Sequence, residues 1–563
     1  MINALDNAFI TINKCETENG NTAYCWTNPS THIEESMVQL YFQSVLKSDK
    51  NYEQLAHRFS SLISNNLEDD YYKYLLKLVL HTRDICEGKG MYQLTYVFLG
   101  EIVKYIQSSK APHHISMKDF YIILDHMVNN FELDGVKHQA YGSWKDMKYL
   151  LTYFRDNKIG DNTFYDTIVR KVIVPQMIKD RYIMENTAGP ISLCGKWLPR
   201  ESSNKFGWLG KKIAVLYYKE TVCKINKTSV ILKHYRELIS ALNKHLDTTQ
   251  LHMAGKKWDQ IMFDRVTAQT MVKSKKAFLN TKNIDEEHRH ICKENLEKYV
   301  HEKMEKGEVM KGQNILPHQL VRYVLCNLDN KDFVQRDIIE LQWKGMMEQL
   351  LKNDNNFMKH CIPCIDVSPS MYTAGPVPLL SAIGMGIACT EVSNIKRAFT
   401  FSEKPKYISI PQDSTFVEKV DIVKQAQWGA TTNIFAMFEH LAKACKENNV
   451  TNQEISKYSL IIFSDMQFNE CCITPDDDLF SSIKLMFQVY GYTKIPFLIF
   501  WNLRSTNNFP TIHNTPNCLK LSGNSVSLLK MFMDIDLDTI KKMNNWGLLK
   551  MVLDKERYNI FER

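Results

Sequence analysis

The stretch Cys361-Ile362-Pro363-Cys364-Ile365-Asp366-Val367-Ser368-Pro369-Ser370-Met371 reads as a short apolar strand running into a polar turn. Asp366, Ser368 and Ser370, spaced D-x-S-x-S where the chain leaves that strand, aim three oxygen donors at one spot. A hard divalent cation such as Mg²⁺ takes donors of this kind and keeps positions for water or an incoming carboxylate. An ordinary Asp/Ser turn has the same local pattern, so the weight falls on two downstream segments. Gly429-Ala430-Thr431-Thr432-Asn433 precedes a stretch where Ile434, Met437, Phe438 and Leu441 recur at helical spacing. Small and hydroxyl residues cap the start of that helix, and a Thr hydroxyl there adds a neutral oxygen donor. Residues 458–465, ending in Ser464-Asp465, read as a buried parallel strand. In open α/β sheets the carboxyl edge of the strands is where ligands bind. Residues 397–402 and 406–410 read as a hairpin, and 495–501 and 519–523 as the later strands, with helices between. The expected fold of this part is a doubly wound α/β sheet.

At 563 residues the chain exceeds one ordinary core, so several domains are expected. Its 44% hydrophobic and 11% aromatic content is that of a folded globular protein. With Gly at 22 and Pro at 16, helices are favoured over a β-rich architecture. No apolar run is long enough to span a bilayer, and the N-terminus has no basic patch followed by an apolar signal segment. The 14 Cys fall into no regular framework, and several (Cys364, Cys389, Cys445) sit in expected strands or helices, which suits free thiols in a reducing compartment. The expected location is therefore cytoplasmic, meaning the host cytoplasm or the virion if the source is a virus.

From residue 34 to 353 the pattern is helix after helix. Leu40, Phe42, Val45 and Leu46 begin one apolar stripe, and Leu94, Val97, Leu99, Ile102 and Val103 form another. Helical pairs of irregular length without a strict repeat suit a degenerate α-solenoid of the HEAT type, curved or ring-like. The polar segment near 352–356 is the expected boundary. This divides the chain into an N-terminal segment (1–33), an α-helical repeat domain (34–355), the α/β domain (356–535) and C-terminal helices (536–563). Residues 361–563 hold 20 of the 70 Lys+Arg and 20 of the 63 Asp+Glu, leaving 50 and 43 for the preceding residues. The whole positive excess lies in that first part, with pairs at Lys211-Lys212, Lys256-Lys257 and Lys275-Lys276. A basic face interleaved with aromatics holds a polyanion, and a solvated helical surface is the plain alternative. Trp144, Trp197, Trp208 and Trp258 pose the same choice between stacking unpaired bases and filling joints between helices.

Several blocks sharpen the reading: Arg83-Asp84 with Gly88-Lys89-Gly90, then Tyr141-Gly142-Ser143-Trp144-Lys145-Asp146, then residues 191–201 and Tyr235-Arg236. The ordered set of D-x-S-x-S, Thr loop and Ser-Asp strand end resembles the von Willebrand factor A domain with its metal-ion-dependent adhesion site. With the helical blocks, the chain resembles an uncharacterised family of plants, fungi and giant viruses that couples a helical domain to such an A domain. That family is in turn similar to the Ro (TROVE-type) ribonucleoproteins, whose helical-repeat ring is closed by the same kind of domain. One departure is Val266-Thr267-Ala268, where the family often has Val-Pro-Ser. The resemblance implies binding of RNA, structured or small and non-coding. Of the adjacent Thr431 and Thr432, the second begins the Thr-Asn pair the family favours.

The expected metal donors are thus Asp366, Ser368, Ser370, Thr432 or Thr431, and Asp465, with Mg²⁺ or another divalent cation as the ion. Two carboxylates and hydroxyls make a site of low negative charge, at which a partner protein's acidic side chain completes the coordination. Metal-assisted hydrolysis wants a base beside the ion and usually more carboxylates. Ligand capture without catalysis is the favoured role. Gly88-Lys89-Gly90 lacks phosphate-loop spacing, and Cys361 and Cys364 alternate to opposite faces of a strand, which disfavours zinc. Neither G-x-S-x-G nor H-E-x-x-H occurs. Asp476-Asp477-Asp478 reads as acidic capping of a helix start. Expected RNA contacts are Arg83, Lys89, Lys211, Lys212, Lys256 and Lys257. The reading is a non-enzymatic RNA-binding protein with a metal-dependent docking site; the alternative is an assembly adaptor with no RNA ligand.

Overall fold

The structure is a computed structural model describing residues 14–561 apart from 48–51, 66, 109–113, 188, 222–226, 313, 329–331, 352–355, 374, 402–404, 427–432, 470–478 and 533–534. It divides into two compact units, each discontinuous in sequence. One comprises residues 1–65 and 303–554, the other 66–302 and 555–563.

The first unit is built on six strands: β1 (Cys361–Asp366), β2 (Arg397–Phe401), β3 (Lys406–Ser409), β4 (Ser459–Ser464), β5 (Phe497–Asn502) and β6 (Cys518–Ser522). Their order across the sheet is β6-β5-β4-β1-β2-β3, all parallel except β3, which pairs antiparallel with β2 at one edge. β1, β4, β5 and β6 are buried along their full length, as parallel strands covered on both faces must be. Side chains alternate between the two covers. Ile362, Cys364, Leu460, Ile462, Leu498 and Phe500 pack on Ile434, Met437 and Phe438 of helix Ile434–Glu447 and on Ile483 and Phe487 of helix Leu479–Val489. Ile365, on the other face, lies against Gly386 of helix Val377–Val392, where an added Cβ would come within 2.5 Å of the Ile365 side chain. That helix is buried from Pro378 to Thr390, because Pro317 at the start of helix Pro317–Asn327 covers its outer side at Gly384. Cys361 and Cys364 do point to opposite faces, Cys361 toward the helix Val377–Val392 side.

The N-terminal residues complete this unit. Helix Ile33–Gln43 lies beside β6: Ser522 Oγ donates to Tyr41 O (2.7 Å) and Asn502 Nδ2 to Phe42 O (2.9 Å). Glu35 and Lys520, 1% and 0% exposed, pair at 3.1 Å, and His513 Nδ1 lies 2.8 Å from the same carboxylate. The linear division expected at residue 355 therefore differs from the compact units. Residues 14–65 and 303–351 pack with the sheet because its β6 edge and the outer side of helix Val377–Val392 would otherwise lie bare.

The second unit is helical, with helices that neighbour in sequence packing on one another: Asp69–Arg83, Tyr92–Gln107, Met117–Val128 and Lys145–Asp156, then Gly207–Thr221 against Thr228–Leu246. Between these sets, one turn of π-helix at Val169–Ile173 joins helix Asn162–Ile168 to Val174–Asn186. The blocks singled out in the sequence supply buried and half-buried polar contacts within this unit. Arg83 grips Asp146 through two nitrogens (2.7 and 3.2 Å), and Tyr96 Oη and Ser143 N donate to the same carboxylate. Asp84 takes Arg557 (2.9 Å) and Tyr558 Oη (2.7 Å) from the C-terminal turn of the chain. Ser192 Oγ donates to Asp180 (2.6 Å), and Tyr235 Oη to Pro199 O (3.0 Å). Among the described residues, no helix is long and apolar enough to cross a membrane, and every described cysteine is free.

Candidate metal centre at the carboxyl edge of the sheet

The strand order reverses direction between β1 and β4: the chain leaves β1 toward β2 and leaves β4 toward β5. At such a switch point the loops diverge and open a crevice at the carboxyl edge. Asp366 is the last residue of β1, and Asp465 follows the last residue of β4. Both are fully buried. Asp366 Oδ1 accepts from Ser368 N (3.0 Å) and Oδ2 from Ser464 Oγ (2.5 Å). Ser368 Oγ and Ser370 Oγ are 3.0 Å apart, and Ser370 donates to Asp465. The four donors described at this point of the sheet, Asp366, Ser368, Ser370 and Asp465, therefore converge. Thr431 and Thr432 lie outside the described residues, as do Asp476, Asp477 and Asp478. The helix after the Thr loop starts as expected, with Asn433 Oδ1 capping Ala436 N at 2.8 Å.

Burial, then repulsion from Asp465, pushes the Asp366 carboxyl up to about 7, against the hydrogen bonds from Ser368 and Ser464. Asp465 is also raised by burial, opposed by Gln467 N and Arg504. Arg504 Nη1 lies 3.1 Å from Asp465 Oδ2 and 2.9 Å from Glu18, and its Nη2 also reaches Glu18. Among the described residues Asp366 itself has no cationic partner. The turn beyond Asp465 places Met466 at φ 62°, a left-handed backbone held by Met466 N donating to Ser464 Oγ (3.0 Å).

Sequence reasoning missed Ser464, Arg504 and Glu18. Ser464 reads in the sequence only as a strand end, and Arg504 stands two residues past β5, on the same edge as the two aspartates. That position was the available signal. Glu18 had none: it lies in the turn of a hairpin pairing Lys14–Glu16 with Thr22–Tyr24, which docks on the loop after Asp465. Thr17 Oγ1 donates to Phe468 O (2.8 Å), and Glu18 N to Gln467 Oε1 (2.8 Å).

Two of the expected RNA contacts need correction. Arg83 is 6% exposed and fixed on Asp146, and Lys89 is 1% exposed, its ammonium driven well below the usual lysine value by burial. Neither side chain is free to meet a phosphate backbone, because both are enclosed in the helical unit. Lys211 and Lys257 are exposed; Lys212 pairs with Asp166 and Lys256 with Glu286.

Two family models match, each described as a domain of unknown function: DUF7788 over residues 360–557 and DUF2828 over residues 161–355. The uncharacterized protein L728 of Acanthamoeba polyphaga mimivirus is 28% identical over 557 residues, covering 96% of this chain and 87% of that protein. The crystal structure of the Deinococcus radiodurans Ro (RSR) protein superposes with a TM-score of 0.44 at 10% identity, over 89% of this chain and 99% of that one. Neither family description names an activity.

Among the described residues no group of three or more His, Cys, Asp or Glu forms a metal cluster. What converges instead is two carboxylates and two hydroxyls, all hard oxygen donors of the kind Mg²⁺ takes. The donors fit the ion: a divalent cation bound there would supply Asp366 with the counter-charge that Arg504 gives to Asp465 alone.

Proposed function

We propose that the sheet unit is a divalent-cation-dependent docking module of the von Willebrand A type. Asp366, Ser368, Ser370 and Asp465 would hold Mg²⁺, with Thr431 or Thr432 as a further donor, and a partner protein's carboxylate would complete the coordination. The observation that carries this reading is Asp366, a fully buried carboxylate set beside a second one, with no described cation of its own. Two like charges out of water are costly unless a counter-ion joins them. A donor set with only two formal negative charges leaves the ion strongly attracted to an external acid, which favours capture of a ligand over hydrolysis. The helical unit is the RNA-binding half of this reading, supported by its positive excess, 40 Lys+Arg against 30 Asp+Glu over residues 66–302 and 555–563.

The test uses Mn²⁺ as a spectroscopic stand-in. Electron paramagnetic resonance should show one bound ion per chain, lost in Asp366→Asn and weakened in Ser370→Ala. An acidic peptide should then bind in Mg²⁺ and be released by chelation. Mn²⁺ binding that survives Asp366→Asn would end the proposal.

A further inference from the structure

Four lysines of the helical unit crowd onto three aromatic rings. Lys145, Lys148 and Tyr149 come from helix Lys145–Asp156, Lys196 and Trp197 from the short helix Cys194–Trp197, and Lys205 and Phe206 from the turn before helix Gly207–Thr221. Lys148 Nζ lies 4.7 Å from the Trp197 ring centre, 5.7 Å from Tyr149 and 5.2 Å from Phe206. Lys145 lies 5.2 Å from Tyr149 and 5.8 Å from Trp197. Lys196 stands 5.7 Å from Trp197, and Lys205 5.6 Å from Tyr149. None of the four forms an ion pair with a described residue. That sets them apart from Lys212, Arg236, Arg181 and Lys256, each of which has a carboxylate. Asp146, the acid adjoining Lys145, already accepts from Arg83, Tyr96 and Ser143.

We propose that this cluster binds single-stranded RNA, with unpaired bases stacking on Trp197, Tyr149 and Phe206 and the lysines moving off the rings onto the phosphates. The assignment rests on the reading of the helical unit as RNA-binding, and gives it a place. Un-neutralised ammonium groups call for an anion, and aromatic faces select one that carries flat bases free to stack. A duplex hides its base faces, and a phosphopeptide has none to offer. The crowding is expressed in the lysines themselves: burial, then Lys273, lowers Lys145, and burial, then Lys145, lowers Lys148. A polyanion offsets the mutual repulsion.

Fluorescence anisotropy of the full chain with labelled oligouridine, across a salt series, tests the site. Lys145→Glu with Lys148→Glu should weaken binding and flatten the plot of log K against log salt by about 1.4, roughly 0.7 per lost phosphate contact. Trp197→Ala should weaken binding about 5- to 150-fold, the worth of one stacked base, and leave the slope unchanged. Lys148→Arg should restore the slope, which guards against a folding defect. Wild-type binding that is untouched by these variants overturns the site while the RNA reading stands. No wild-type binding to oligouridine or to folded RNA at low salt overturns both. A hairpin duplex that binds as well as oligouridine, and equally in Trp197→Ala, overturns stacking.

Discussion

Replacing Asp366 by Asn separates a site kept for function from one kept for stability. The Asp366 carboxyl rises from 3.8 to about 7, first because it is buried and second because Asp465 stands beside it. An acid whose folded value is raised binds its proton longer in the native state. Stability therefore falls as pH climbs from about 4 to about 7 and is level above that. The rise amounts to on the order of 4 kcal/mol of repulsion and desolvation at about pH 8 without metal. Asn removes the charge and keeps one of the two hydrogen bonds intact, with Ser464 Oγ turning to accept from its amide, a loss of about 1 kcal/mol at most. Without metal at about pH 8, Asp366→Asn should be more stable than wild type by about 3 kcal/mol. The gain should shrink toward zero near pH 4. In Mg²⁺ the order should close or reverse, because only wild type gains from the ion, by about 2.7 kcal/mol at a hundredfold excess over its Kd. Urea unfolding followed by circular dichroism, in chelator and in Mg²⁺ at both pH values, reads all four quantities. A variant less stable than wild type at about pH 8 in chelator would show that Asp366 is a structural acid, and the reasoning would fail.

Three more outcomes follow from the same geometry. Arg504→Ala leaves Asp465 buried without its cation, so stability in chelator should drop by about 3 kcal/mol and Mg²⁺ should recover more of it than in wild type; an unchanged Mg²⁺ response would refute the shared charge. Arg83→Ala strands Asp146 and should cost about 3–5 kcal/mol. A variant of full stability with weakened RNA binding would mean that Arg83 faces ligand after all. Burial alone would raise Glu35, but Lys520 and His513 hold it down to about 2. This depressed acid contributes stability above about pH 4.5 that is lost as pH falls toward 2. Glu35→Gln should therefore remove about 3 kcal/mol at neutral pH and little near pH 2; a pH-independent loss in urea titrations would contradict the pairing.

Each strand from 361 onward was legible because parallel strands covered on both faces are written as unbroken apolar runs, Leu460-Ile461-Ile462-Phe463 and Phe497-Leu498-Ile499-Phe500-Trp501 among them. The acids and hydroxyls of the candidate centre were legible too, because a sheet edge is reached by counting to the end of each strand. The cationic partner was harder. Arg504 looks like any loop arginine until β5 is placed beside β4, and Lys520 looks like the solvent side of an edge strand until Glu35 is found against it. Arg83 and Lys89 show the opposite error. Their positive charge suggests a polyanion contact, yet Asp146, 63 residues on, claims Arg83.

Local chemistry alone thus determined the strands, the helices and the order of the D-x-S-x-S turn, the Thr loop and the Ser-Asp strand end. Those depend on periodicity and spacing over a few residues, which the chain carries with it wherever it folds. Tertiary structure decided which charges are buried and which remain unpaired. It set the hairpin at residues 14–24 beside Gln467, and it gathered Lys145, Lys148, Lys196 and Lys205 around Trp197, Tyr149 and Phe206. Burial and charge compensation arise between segments far apart in the chain, and no window along the sequence contains both members of such a pair.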